Sequence, residues 1–168
     1  MNKDDYIVLV EKWINSFLAF HYKNEIKVIE VHKKEKLSSI TEGLIKNIDG
    51  HSLFDFTPDL FVIFKTDDNI YSCIISVSIS SISLKEIGEI NLYTKIANPK
   101  YSMIISSKGL AKEINLILAN KDQEESILMI DDDAHISIFQ LNENGKVKEE
   151  SILPFFKRQE ILMTDTGE

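Results

Sequence analysis

Residues 54–80, FDFTPDLFVIFKTDDNIYSCIISVSIS, read as two neighbouring strands joined by a polar turn. Leu60 to Phe64 is an unbroken apolar run, the pattern of a strand covered on both faces. Lys65 to Asn69 (KTDDN) is turn chemistry. The second strand then alternates. Tyr71, Cys73, Ile75, Val77 and Ile79 fall on one face, and Ser72, Ile74, Ser76, Ser78 and Ser80 on the other. Asp59 stands at the entrance to the first strand, after Pro58. A buried strand next to a serine-faced one predicts a scaffold whose inner cleft is lined by hydroxyls rather than by charge.

Working outward, the preceding chain predicts an opening helix over Asn2 to His21. Asn2 can cap it, Asp4 and Asp5 suit its positive end, and Tyr6, Val10, Trp13, Ile14 and Phe17 form an apolar stripe. Ile26 to Val31 is the expected first strand, and its change of parity between Val28 and Ile29 predicts a bulge or burial on both sides. The basic cluster His32, Lys33, Lys34 and Lys36 follows, diluted by Glu35, and reads as a solvated loop or a contact to a nucleic-acid backbone. Ser39 and Glu42 have capping-box spacing for a short helix over Ser39 to Ile48, and Asp49–Gly50 marks a turn.

Beyond the central hairpin, Ser83 and Glu86 form a second capping-box pair. It opens a helix with Leu84, Ile87, Ile90, Tyr93 and Ile96 turned inward, closed before Pro99. Tyr101 to Ile105 is a further strand, and a Ser-Ser-Lys-Gly loop leads to a helix carrying Leu110, Ile114, Ile117 and Leu118. Ile127 to Ile130 is expected to be a strand. His135 to Leu141 and Val147 to Leu153 are expected to pair as a hairpin across Asn144–Gly145.

The totals bound the class. With 168 residues the chain is most economically one domain, able to bury about two thirds of its unfolded surface. Its 43% apolar content suits a globular protein. Nineteen basic against 27 acidic residues give a net charge of −8, which argues against tight binding to DNA or RNA by the chain alone. The acidic start MNKDDYIV does not resemble a signal peptide, and no apolar run approaches the roughly 20 residues that span a bilayer. A cytoplasmic protein without membrane contact is expected. The single cysteine, Cys73, lies on an apolar face and reads as a small buried hydrophobe. His21, His32, His51 and His135 show no metal-ligand spacing. The run Asp131 to Asp133 resembles the acidic pocket of a phospho-receiver domain, but too little chain follows to build that fold, so a solvated loop is expected.

The order helix, three strands, helix, strand, with Pro58–Asp59 opening the second strand, resembles the PD-(D/E)XK nuclease superfamily over roughly residues 5 to 106. The resemblance implies an α/β fold with a mixed central sheet flanked by helices, a restriction-endonuclease-like core (α-β-β-β-α-β) over residues 1–163 with a C-terminal β-hairpin extension. Residues 164–168 are expected to be a disordered tail. In that superfamily the Asp and the Glu of a Glu-x-Lys triplet hold a divalent metal, which lowers the pKa of the attacking water, and the Lys helps to activate it. Matching IYSCIISVS by its alternation puts Ser76 at the Glu position and Ser78 at the Lys position. The resemblance therefore implies a degenerate nuclease with Asp59, Ser76 and Ser78 as vestigial positions, no catalytic residue, no bound metal and no cofactor. Asp59 by itself reads equally as a turn residue beside Pro58. The implied role is a binding or structural subunit, with a nucleic-acid-processing assembly as its setting and a protein partner or a second copy of itself. In the main alternative the chain is an active nuclease in which Asp59 holds Mg²⁺ with Glu86 or Glu89, and Lys85 or Lys65 supplies the cation. Against this, Glu86 already has a capping role. A small-molecule-binding or regulatory α/β domain is the third reading.

Overall fold

The computed structural model describes residues 1–40, 56–131 and 134–162. Helix α1 (Lys3–Tyr22) starts where the sequence predicts, with Asn2 Oδ1 accepting from the Asp5 N–H at 2.9 Å. Strand β1 (Val28–Lys33) lies two residues later than expected. It pairs with β2 at six consecutive positions, so the predicted bulge at Val28–Ile29 is absent. A one-turn helix, α2 (Leu37–Ile40), follows; Ser39 lies within it and donates to the Lys36 carbonyl instead of capping it. Glu42, the remainder of the Ser39–Ile48 helix and the Asp49–Gly50 turn lie outside the described residues.

Strands β2 (Leu60–Lys65) and β3 (Ile70–Ser78) form the predicted antiparallel pair, in register Leu60 to Ile75 through Lys65 to Ile70. Helix α3 (Leu84–Ala97) crosses over to β4 (Tyr101–Ser106), which runs parallel to β3, and β5 (Ile136–Gln140) runs parallel to β4. The result is a five-stranded mixed sheet in the order β1-β2-β3-β4-β5. Its alternation sorts the chain into three layers. Leu60, Val62, Phe64, Cys73, Ile75 and Val77 pack against Tyr6, Val10, Trp13, Ile14 and Phe17 of α1. Phe61, Ile63, Ile74, Ile104 and Ile138 pack against α3, α4 (Lys112–Leu118) and α5 (Lys121–Leu128). The stripe of α1 also carries aromatic contacts, with Trp13 and Phe17 at 5.2 Å and Trp13 and Phe139 at 4.8 Å between centroids.

Further expectations are corrected. Leu84, expected to turn inward, is 50% exposed, since at the first position of α3 it falls at the edge of the arc that carries Ile87 and Ile90. Leu110 precedes α4 and bridges to Ile82 instead of lying on the helix. The apolar run Ile127–Ile130 is not a strand: α5 continues through Leu128, and only Met129 makes an isolated bridge, to His135. Asn120 nucleates this helix by accepting from the Asp122 and Gln123 N–H groups, and Leu128 reaches the core as part of a helical face. A four-residue apolar run carries no period of its own, so the cap decides the outcome. The C-terminal hairpin is also looser than expected. The turn forms, with Gly145 at φ +77°, but the returning leg makes no continuous ladder with β5: it pairs at the isolated bridges Leu141–Val147 and Ile138–Leu153, with the Lys148 N–H bonded to the Gln140 carbonyl at 2.9 Å. Between them a 3₁₀ turn (Glu149–Ser151) replaces the ladder, and Ser151 Oγ accepts the Gln140 N–H at 2.8 Å. The chain then closes with a second 3₁₀ turn (Phe155–Lys157) and α6 (Arg158–Leu162). The tail 164–168 lies outside the described residues. Among the described residues no helix is long and apolar enough to cross a membrane.

Candidate functional site

The pairing of β2 with β3 fixes the site. One step beyond Leu60–Ile75, the register sets Asp59 opposite Ser76, and directly opposed residues of an antiparallel pair share a face. Asp59, Ser76 and Ser78 come together with Glu86 and Glu89 of α3 around one cleft of about 380 Å³. Sequence reasoning thus brings together five residues that the structure also brings together.

What those residues do there differs from metal chemistry. The Asp59 carboxylate is only 15% exposed, and each oxygen has a strong partner. Oδ2 accepts the Val77 N–H at 2.7 Å, tying the entrance of β2 to the end of β3. Oδ1 lies 2.7 Å from Lys3 Nζ, reaching in from the first turn of α1. Among the described residues, Lys3 is the charged partner of Asp59 that the sequence reading missed. Its signal was present: positions 3, 6, 7 and 10 share a helical stripe, and Tyr6, Ile7 and Val10 are all buried. A lysine one turn ahead of that stripe is carried to the end of the sheet against which α1 packs.

The serines serve the loops. Ser78, 5% exposed, donates from Oγ to the Ser80 carbonyl at 3.0 Å and accepts the Ser80 N–H at 3.3 Å. Ser106 on β4 donates to the same carbonyl at 2.7 Å and accepts the N–H groups of Lys108 and Gly109. These hydroxyls hold the β3–α3 and β4–α4 connections together and give partners to their backbone groups, among them the buried Gly109 N–H. Ser76 is half-buried in the cleft wall.

Of the relocated ligands, Glu86 is engaged. Its Oε2 accepts from the Ser83 N–H at 2.8 Å and from Ser83 Oγ at 2.9 Å, completing the predicted capping box. Glu89 lies at the cleft wall and pairs loosely with Lys85 at 3.8 Å. Lys85 itself points to solvent, outside the cleft lining. Lys65 is at the far end of β2, 3.9 Å from Glu30, and does not belong to the site. Of the carboxylates around the cleft, Asp59 is held by an ammonium and a backbone amide, Glu86 caps a helix, and Glu89 stands at the wall with Lys85 as its loose partner.

Other candidates resolve into structure. In the basic cluster, Lys33 meets Glu11 at 2.5 Å, Lys34 meets Asp4, and His32 meets Glu35 at 3.3 Å. Lys34 holds the Asp4 carboxyl below its usual range. Cations so matched with carboxylates offer little net charge to a phosphate backbone. Cys73 is fully buried, which pushes its thiol pKa up and away from reactivity. Asp131 closes a turn by accepting the Ala134 N–H, whereas Asp132, Asp133 and His51 lie outside the described residues. Among the described residues no three His, Cys, Asp or Glu side chains are grouped to hold a metal.

His21 contacts the Glu160 carbonyl at 2.9 Å, and His135 lies edge-on to Phe156 at 5.5 Å. Burial, reinforced by Lys157 and opposed by Glu160, pushes the His135 pKa down from 6.5 to about 4. The neutral ring is favoured in the fold, while an unfolded chain takes up the proton near 6.5. His135 therefore contributes stability above pH 6.5 that is lost as the pH falls towards 4. Chemical denaturation of His135→Leu is expected to show a shallower loss of stability than the parent across that window. Parallel pH profiles for the two proteins would contradict this assignment.

Compared with known proteins, the chain matches no family model, no curated relative and no solved structure.

Proposed function

We propose that this chain is a non-catalytic binding or structural subunit built on a restriction-endonuclease-like core, serving in a nucleic-acid-processing assembly. One observation carries the reading: Asp59, at the position from which a nuclease of this plan would hold its metal, is held by Lys3 and the Val77 N–H, with hydroxyls facing it. The order α1-β1-α2-β2-β3-α3-β4, which differs from the expected core by the one-turn α2, supports the scaffold half of the proposal, as does the switch from antiparallel to parallel pairing at β3. The net charge of −8 supports a protein partner over bare nucleic acid. Neither Ser76 nor Ser78 can supply the second anionic ligand or the positive charge that phosphodiester cleavage needs in its transition state.

The test is incubation of the purified chain with single- and double-stranded DNA and RNA in Mg²⁺ or Mn²⁺. No cleavage above a buffer control is expected. Cleavage that disappears in Asp59→Asn would overturn the proposal in favour of an active nuclease. A further loss in Glu86→Gln or Glu89→Gln would then identify the relocated ligand.

A further inference from the structure

The outward face of α3 carries a pattern that the fold itself does not use. Leu84, Gly88 and Leu92 follow one another at intervals of four and so share one exposed stripe; Ile90 lies on the far side of the helix and Ile87, three residues from Leu84, borders the stripe, both buried against the sheet. Leu84 is 50% exposed and Leu92 54% exposed. Gly88, midway along the 14-residue helix, is at the centre of the stripe, and a Cβ built there meets nothing within 4 Å. A mid-helix glycine destabilises a helix relative to alanine, and among the described residues nothing requires the missing side chain. Close approach of another backbone does require it.

We propose that this face pairs with the same face of a second copy, antiparallel, about a two-fold axis passing through Gly88. That axis sets Leu84 against Leu92 of the second copy and Leu92 against its Leu84, with the glycines at the crossing. The charges agree with it. Lys85 and Glu89, 3.8 Å apart, flank the stripe on the same side, so the symmetry brings each lysine beside the other copy's glutamate. This face therefore offers reciprocal opposite charge, although two chains of net charge −8 repel one another overall. An apolar stripe with self-matching charge fits a second copy better than an unrelated basic or acidic partner. A single helix pair covers less than the roughly 800 Å² per partner of a standard interface, so a reversible rather than a permanent dimer is expected. The inference names the partner in the binding role proposed above and rests on that reading only for the role. The dimer is measured without reference to nuclease activity, so either can fail without the other.

Sedimentation of the full chain over a concentration series is expected to show a monomer–dimer equilibrium. Leu84→Glu and Leu92→Glu should each weaken it at least about tenfold, because a carboxylate would be forced into the apolar contact. Gly88→Ala should separate the two roles of the glycine, raising the unfolding temperature of the monomer while weakening the dimer. Lys85→Glu should weaken the dimer, and adding Glu89→Lys should restore it. Because Cys73 is buried, Gly88→Cys should form a disulfide-linked dimer under mild oxidation, whereas Ser126→Cys on the exposed side of α5 should not. The proposal is overturned by a chain that sediments as a monomer throughout, even if this face later proves to hold another protein. It is equally overturned by a dimer insensitive to both leucine substitutions, or by equal cross-linking of the two cysteine variants.

Discussion

Asp59→Ala is expected to cost the fold about 2–3 kcal/mol, the range for removing a charged acceptor from a buried amide. The Val77 N–H loses its partner at the point where β2 and β3 separate, and the Lys3 ammonium loses the anion that draws α1 onto the sheet end. The amide dominates, since Lys3 is 43% exposed and its ion pair is screened by solvent. Lys3→Met should therefore cost less than about 1 kcal/mol, and Asp59→Asn, which keeps an acceptor for Val77, should lie between the two. The sign is diagnostic as well as the size. A carboxylate held ready for a metal is under-compensated without it, and its removal commonly stabilises the protein. Urea denaturation of the three variants decides the matter: a neutral or stabilised Asp59→Ala would mean that the carboxylate is poised for a ligand.

The same contrast shows which parts of the molecule could be read from the chain. The β2–β3 pair was legible because two different burial patterns, an unbroken run and an alternation, adjoin across a five-residue polar turn. Register follows once both strands are placed, and with it the meeting of Asp59, Ser76 and Ser78. Capping boxes are local, so the start of α3 was legible to the residue. Lys3 was legible only in part: the stripe through Tyr6, Ile7 and Val10 puts it on the docking side of α1, but its meeting with Asp59 depends on how α1 docks on the sheet, which no local pattern encodes. The run ILMI at 127–130 failed for the opposite reason: four apolar residues suit either period, and Asn120, seven residues upstream, had already committed the chain to a helix. The work of the serines was hidden too. An alternating row of hydroxyls shows which face is polar, but not that Ser78 and Ser106 converge on the Ser80 carbonyl.

The second large effect is a gain. Replacing Lys3 by Met frees Asp59 Oδ1, and Ser76→Glu sets a second carboxylate directly opposite, where facing Cβ atoms of an antiparallel pair lie about 4.5–5.5 Å apart. Two carboxylates at that separation can share one cation. The double variant is expected to bind Mn²⁺ with a dissociation constant on the order of 10⁻⁴–10⁻³ M, as in sites with few fixed anionic ligands. The parent should show no saturable binding in that range. Ser78→Lys, the substitution that the nuclease pattern would add, is best left out. Ser78 is 5% exposed and its hydroxyl closes the β3–α3 loop, so a lysine there would break both bonds to Ser80. Lys3→Met alone and Ser76→Glu alone serve as controls, since in the latter Lys3 still occupies Asp59. Titration calorimetry with Mn²⁺, run beside thermal unfolding to establish that each variant is folded, reads the outcome. A folded double variant that binds no better than the parent would show that Lys3 is not what keeps a cation from this cleft. Binding by Ser76→Glu alone, with Lys3 in place, would show that the ion pair yields readily and that Asp59 is not committed to it.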